Sequence, residues 1–232
     1  MKATRKVHFQ HLGMIPYLDG FEYQREVFWG TVDRKMANRK LPGEEQLQTK
    51  NHLIFCQHPH VYTLGNSGDP ANLLIDEQGL QERDAVFVRT NRGGDITYHG
   101  PGQIVGYPIF DLDHFFTDIE KYLRSLEEAI IRTLAVYGIQ GMRVPGLTGV
   151  WIDGERKIAA MGVRSSRWVT MHGFSLNVNT DLSYFGHIVP CGIRDKEVTS
   201  LQQEVGNKIE EREVEEMLKK HLAAIFEFEL IE

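Results

Sequence analysis

The stretch TGVWIDGERKIAAMGVRSSRWVTMHGFSLNV, Thr148–Val178, holds three apolar runs separated by short polar breaks. "TGVWI", "ERKIAAMGVRSS" and "WVTMHGFSLNV" read as consecutive antiparallel strands. Between the first two, Asp153-Gly154 is a hairpin dipeptide, because the tight turn needs positive φ at both central residues. A sheet is therefore the element around which the chain is built.

Working outward, Ile119, Tyr122, Leu123, Leu126, Ile130, Leu134 and Tyr137 follow three-and-four spacing and predict a helix over 117–137, stopped by Gly138. "AVFVRT", "DITYH" and "QIVGYPIFDL" read as strands. Pro108 places the last at a sheet edge or a bulge, since proline has no N–H for a ladder. Further upstream, "KVHFQHL" alternates as a first strand, a helical pattern covers about 17–39, and "KLPGEEQ" breaks it. "NHLIFCQH" is a short buried strand in which Cys56 is a small hydrophobe. "HPHVYTLGNSGDPANLL" reads as loop and turn. Downstream, a last helix covers about 209–225, and "FEFELIE" alternates like a closing strand. No repeat or linker divides the 232 residues, so a single α+β domain over 1–232 is expected, a sheet with helices packed on it.

Composition is that of an ordinary globular protein, 41% hydrophobic and 25% charged. A net charge of −6 argues against a global pull towards nucleic acid. Two cysteines make no disulfide framework. The basic start has no signal-peptide core, and no run approaches the roughly 18 apolar residues of a membrane span. The expectation is a cytoplasmic protein with reduced thiols and no membrane partner. Of the ten histidines, His8 with His11 and His58 with His60 stand close, yet no Cys or carboxylate joins either pair at ligand spacing. No metal and no phosphate loop are expected.

Three places can carry chemistry. In "RGGDITYHGPGQ", Gly93 and Gly94 let backbone approach a ligand, Arg92 can anchor the loop, and Tyr98 and His99 fall on opposite faces of an extended segment. A plain glycine turn before a hairpin explains the same residues. In "GERKIAAMG", Lys157 opens an apolar strand whose small residues leave room for a ligand or another backbone. A lysine there is either solvated or turned into that space, where burial would lower its pKa and let it take a proton from a thiol. Cys191, between Pro190 and Gly192, is either a nucleophile activated by a distant cation or an inert turn residue. His187 and Lys196, near it in sequence, read as surface or loop residues.

At these places the chain resembles the lipoyl(octanoyl) transferase family. "RGGDITYHGPGQ" from Arg92 to Gln103, with Tyr107 beyond it, matches that family's signature. "KIAAMG", "HGFSLNV" and "PCGI" look like its lysine, histidine-glycine and cysteine motifs, and "HPHVYTLG" is similar to a segment ahead of them. The resemblance implies a biotin/lipoate protein ligase-like fold: a mixed β-sheet flanked by helices, with a small accessory sheet. It implies Cys191 as acyl-thioester nucleophile and Lys157 as its activator. It also implies an acyl pocket lined by Arg92, Gly93, Gly94, Asp95, Ile96, Thr97, Tyr98 and His99, by Ala160, Met161 and Gly162, and by Gly173, Phe174 and Ser175. His172 receives no role.

The implied reaction moves octanoyl from acyl carrier protein to a lysine of lipoyl domains, those of 2-oxoacid dehydrogenase complexes and of the glycine cleavage H protein. No cofactor is needed beyond the phosphopantetheine that the carrier brings. An ATP-dependent lipoate or biotin ligase, a non-catalytic binder of these domains, and a thioesterase or amidase using Cys191 with His172 are the alternatives. An acidic carrier would need a local basic patch. Arg34, Lys35, Arg39 and Lys40 at one helix end, or Arg164 with Arg167, offer one, though such residues also serve simply as a solvated surface.

Overall fold

The computed structural model describes residues 5–189 and 196–231. Its spine is a run of antiparallel strands that includes the opening stretch: β6 (Gln103–Ile109), β8 (Val150–Ile152), β9 (Arg156–Ser166) and β10 (Val169–Asn177). The turn between β8 and β9 has Asp153 at φ 53° and Gly154 at φ 72°, as the dipeptide predicted. The turn between β9 and β10 also uses two positive φ values, at Arg167 and Trp168, without any glycine. Main-chain bonding from Leu112 N–H to the Trp168 carbonyl (2.8 Å) holds that second turn.

Around this spine lie β1 (Arg5–Met14), β2 (Asn51–Gln57), β7 (Gly141–Met142), β11 (Glu197–Val198) and β12 (Phe228–Ile231). Among the described residues the sheet has nine strands in the order β12-β1-β2-β6-β10-β9-β8-β7, with β11 paired to β9. β1 runs parallel to both β12 and β2, and the rest of the path is antiparallel. β11 joins β9 in parallel register, Val198 opposite Lys157.

Both faces are covered, so the central strands are apolar almost throughout rather than alternating with polar residues. Successive side chains still point opposite ways. Leu53, Phe55, Ile104, Phe174 and Leu176 meet α3 (Ile119–Val136) and α5 (Glu211–Phe226) in one core. Ile54, Cys56, Val105, Tyr107 and Met171 meet α1 (Tyr17–Asn38) through Phe28 and Val32 in the other. The periodic stripe on α3 supplies Tyr122, Leu126, Ile130 and Leu134. Asp118 caps its start by accepting from Lys121 N–H (2.9 Å), and Gly138 follows its end at φ 76°. Cys56 is fully buried, as expected.

Two expectations fail. Pro108 does not mark an edge or a bulge: β6 lies between β2 and β10, and Pro108 pairs with Leu53. The ladder to β10 runs from Asn177–Gln103 to Phe174–Gly106, is interrupted, and is taken up again where Thr170 N–H donates to the Phe110 carbonyl (2.9 Å) and Val169 bridges Asp111. The missing N–H thus falls where β10 has left the ladder, and the free Pro108 carbonyl accepts from Tyr122 (3.0 Å) and Thr170 (2.9 Å). Second, the segment read as loop contains β3 (Val61–Leu64). Its four β-prone residues sit between Pro59 and Gly65, and those breakers outweighed so short a run. β3 is the middle of a small sheet in the order β4 (Val86–Arg89), β3, β5 (Ile96–His99). Two short helices, α2 (Glu77–Gln81) and α4 (Leu201–Val205), were also not foreseen.

Candidate functional site

The glycine loop between the two sheets builds the site. Arg92 turns its guanidinium inward and donates to the Thr63 carbonyl (2.6 Å), Thr63 Oγ1 (2.9 Å) and the Gly93 carbonyl (3.1 Å). Gly93 N–H donates to the Val163 carbonyl on β9 (3.0 Å). The two backbones can touch because Gly93 and Gly162 carry no side chain at the contact: a Cβ on Gly162 would stand 2.6 Å from the Gly93 oxygen. The glycines expected to let a ligand approach therefore first let the loop lie on β9.

Under this contact is a cavity of about 540 Å³, within the usual range for small-molecule sites. Arg92, Gly93, Gly94, Asp95, Ile96, Thr97 and His99 line it from the loop and β5. Lys157, Ala160, Met161 and Gly162 line it from β9, and Gly173, Phe174 and Ser175 from β10. Tyr98 does not. Alternation along β5 turns it into the core of the small sheet, where its hydroxyl meets His60 Nδ1 (2.7 Å) and its ring stacks on Tyr184. Cys191 lies outside the described residues. Sequence reasoning missed Tyr17, Ile119, Leu123, Leu147 and Phe185 as wall residues. On their helices Tyr17, Ile119 and Leu123 look like any core-facing apolar position, so no local signal marks them.

Lys157 has its Nζ 4.6 Å from the centre of the Trp151 ring. Its carbonyl accepts from Thr199 N–H (3.0 Å), which fastens the chain after β11 beside it. On the other flank, Val189 N–H donates to the Asn72 carbonyl (2.9 Å). His187 accepts from Arg83 Nε (2.9 Å) and Lys196 donates to the Gly154 carbonyl (2.9 Å).

The cavity's imidazoles are neutral. Burial, then the neighbouring His58, pushes His99 down to about 3. Burial, then Arg92 and Arg164, pushes His172 to about 3. His172 meets Asn91 Oδ1 (2.7 Å) and stacks on Phe21, so it is spent on packing rather than held ready as a base. Beneath the floor, His58 Nδ1 faces the Ile15 carbonyl (2.7 Å), an acceptor, so it carries the proton, and Nε2 accepts from the Tyr107 hydroxyl (2.7 Å). Burial pushes the Cys56 thiol up, which makes it inert. Of the basic residues, Lys35 is not surface charge: it is held by Asp111 (2.5 Å) and Asp113 (2.8 Å). Arg34, Arg39, Lys40 and Arg167 are exposed, and Arg164 is half-buried.

The family model described as lipoyl protein ligase A/B catalytic domain matches residues 35–223. The chain belongs to that family. Within the lipoyl protein ligase A/B family it is 58% identical to an octanoyltransferase of Christiangramia forsetii, over 98% of this chain and 98% of that one. It is 56% identical to an octanoyltransferase of Cytophaga hutchinsonii, over 98% and 96%. Among solved structures, a lipoate-protein ligase A bound with ATP superposes at TM-score 0.67 with 16% identity, covering 99% of this chain and 90% of that one. A bipartite lipoate protein ligase of Thermoplasma acidophilum does so at TM-score 0.66 with 17% identity, covering 99% and 88%. These last likenesses fix the fold: a mixed sheet flanked by helices with a three-stranded accessory sheet, as the resemblance implied.

Proposed function

We propose that this chain moves an octanoyl group from acyl carrier protein to a lysine of lipoyl domains through a thioester on Cys191. The coarser statement rests on the relatives: octanoyltransferases 50–58% identical over most of the chain make it an acyltransferase of protein lipoylation. The lipoate-protein ligase A bound with ATP is only 16% identical, and its likeness speaks for the fold. The observation that carries the finer reading is one cavity in which Lys157 faces the Arg92–Gly94 loop and the Gly173–Ser175 strand, with Val198 paired beside Lys157 shortly after Cys191 in the chain.

In this mechanism Lys157 takes the proton of the Cys191 thiol, and the thiolate attacks the donor's thioester carbonyl. The carrier's pantetheine thiol leaves with a proton. The octanoyl chain lies against Phe174, Met161 and Ile119, each methylene buried contributing about 0.8 kcal/mol. The amine of the incoming lysine then attacks the acyl-enzyme, loses its proton to Lys157 and releases Cys191 as an amide forms. A thioester is already activated, so no ATP and no cofactor enter. A cytoplasmic setting suits a mechanism that needs a reduced thiol. The acceptors are lipoyl domains of 2-oxoacid dehydrogenase complexes and the glycine cleavage H protein.

The test is an intact mass taken after incubation with octanoyl carrier protein and no acceptor. One octanoyl adduct is expected, located at Cys191 and lost in Cys191→Ala. Turnover without that adduct, or an adduct on another residue, would overturn the covalent route.

A further inference from the structure

A chain of buried hydrogen bonds crosses from the small sheet to β9, and its direction can be derived. Asn177 is anchored by a main-chain acceptor: its Nδ2 donates to the Thr199 carbonyl (3.0 Å), so its Oδ1 must accept. Gln103 Nε2 donates to that oxygen (2.8 Å) and to the Tyr98 carbonyl (3.2 Å), which fixes the amide independently. Gln103 Oε1 is then the atom that faces His99 Nδ1 at 2.7 Å, so Nδ1 carries the ring proton. His99 Nε2 is left as an acceptor, 3.4 Å from Thr63 Oγ1. Thr63 can supply that proton because its own oxygen accepts from Arg92, which has no acceptor to offer. At the far end, Thr199 N–H holds the Lys157 carbonyl (3.0 Å). Gln103, Thr63 and Thr199 are fully buried.

We propose that Gln103 and Asn177 are positioning residues, whose one-way chain fixes His99 as the Nδ1–H tautomer and sets Arg92 and the strand of Lys157 at a constant separation. Among the described residues, the arginine and the lysine that line the cavity are both attached to this chain, Arg92 by its guanidinium and Lys157 by its carbonyl. The polarity admits no local reversal: turning either amide over would set oxygen against a main-chain oxygen. Buried networks of this kind are rigid when every member is satisfied and costly when one is not. The part of the proposal that concerns turnover rests on the octanoyl-transfer reading; the tautomer does not.

The experiment uses the full chain labelled with ¹⁵N-histidine, the His99 signals being assigned by their loss in His99→Gln. At neutral pH the wild-type protein is expected to show the directly bonded proton on Nδ1 and none on Nε2. A proton on Nε2 overturns the proposal, whatever the activity. In parallel, Gln103→Glu keeps the shape but sets an oxygen against the Tyr98 carbonyl and Asn177 Oδ1. The kcat for octanoyl transfer should fall about 10–100-fold, the scale seen when outer partners of a site are changed, with KM for the donor little altered. Wild-type kcat in Gln103→Glu overturns the positioning role. If that variant does not fold, Asn177→Asp, which loses the donor to Thr199, takes its place with the same expected split. Failure of the transfer reading shows separately, as a missing Cys191 adduct in the wild-type protein.

Discussion

Gly162→Ala tests how tightly the loop must lie on β9. The new Cβ would stand 2.6 Å from the Gly93 carbonyl oxygen, 3.2 Å from Arg92 Cδ and 3.4 Å from Arg92 Nη1. Ordinary contact begins near 3.4 Å, so the loop and strand must separate by ~0.8 Å (3.4 − 2.6). β9 is held along β10 from Ser166–Val169 to Ala159–Leu176, so the loop gives way. The Gly93–Val163 hydrogen bond (3.0 Å) then stretches beyond bonding distance. Losing it costs about 1 kcal/mol and the overpacking about 1–3 kcal/mol, or about 2–4 kcal/mol together. For a chain of this size that lowers Tm by roughly 5–15 °C, read by a thermal melt. The catalytic effect should be larger. A displacement near 1 Å can cost about 100-fold in rate, read as octanoyl transfer from the carrier at a temperature where the variant is folded. Gly186→Ala, whose Cβ meets nothing within 4 Å, is the control and should change neither. If Gly162→Ala melts and reacts like the wild type, the close approach of loop and strand is not what shapes the cavity.

Other expectations concern charge and polar burial. Lys157→Met should abolish acylation of Cys191 by the octanoyl donor, measured by mass, while leaving the melt within a few degrees; normal acylation would remove Lys157 from the mechanism. Stability should fall as pH drops below about 6.5: His99 and His172 stay neutral down to about 3 when folded, whereas the unfolded chain protonates them at the ordinary value. Between those limits the unfolded state binds more protons, so the two together remove up to about 2.7 kcal/mol per pH unit, and a Tm constant from pH 7 to pH 5 would refute this. Tyr107→Phe leaves His58 Nε2 with only the weak Cys56 thiol (3.6 Å) as donor in a buried site and should cost about 1–3 kcal/mol by denaturant titration. Arg167→Glu, at an exposed turn, should raise KM for the carrier substrate at low salt without lowering kcat; unchanged KM would exclude that turn from docking.

Much of this architecture was legible because its signals are local. The hairpin at Asp153-Gly154, the stripe on α3 and the apolar run of β2 each declare themselves within about ten residues. Pro108 misled because its tolerance depends on where β10, far along the chain, leaves the ladder. β3 was lost because four residues between a proline and a glycine are too short to outweigh their flanks. In the site, the implied pocket residues fall round one cavity except Tyr98, and the alternation that excludes it had already set Tyr98 and His99 on opposite faces; Cys191 lies outside the described residues. The walls supplied by Tyr17 and Leu123 come from helices brought there by packing, and no sequence spacing announces them. Thr199 joins the hydrogen-bond chain through its main chain, which residue identity does not encode, and Asn177 meets Gln103 only because β6 and β10 pair.

The pairing of β1 with β12 places Arg5 beside Phe228. The two paired residues are 223 positions apart in sequence (228 − 5), so this contact is among the most non-local in the sheet. Until β12 pairs with it, β1 exposes one side of its backbone as an unpaired parallel edge, and the strand that closes it returns over that whole separation. Long-range closure of this sort is slow relative to hairpin formation. The β8–β9–β10 meander that carries Lys157 pairs through short local connections and can form before that closure, so its order does not wait on the β1–β12 edge.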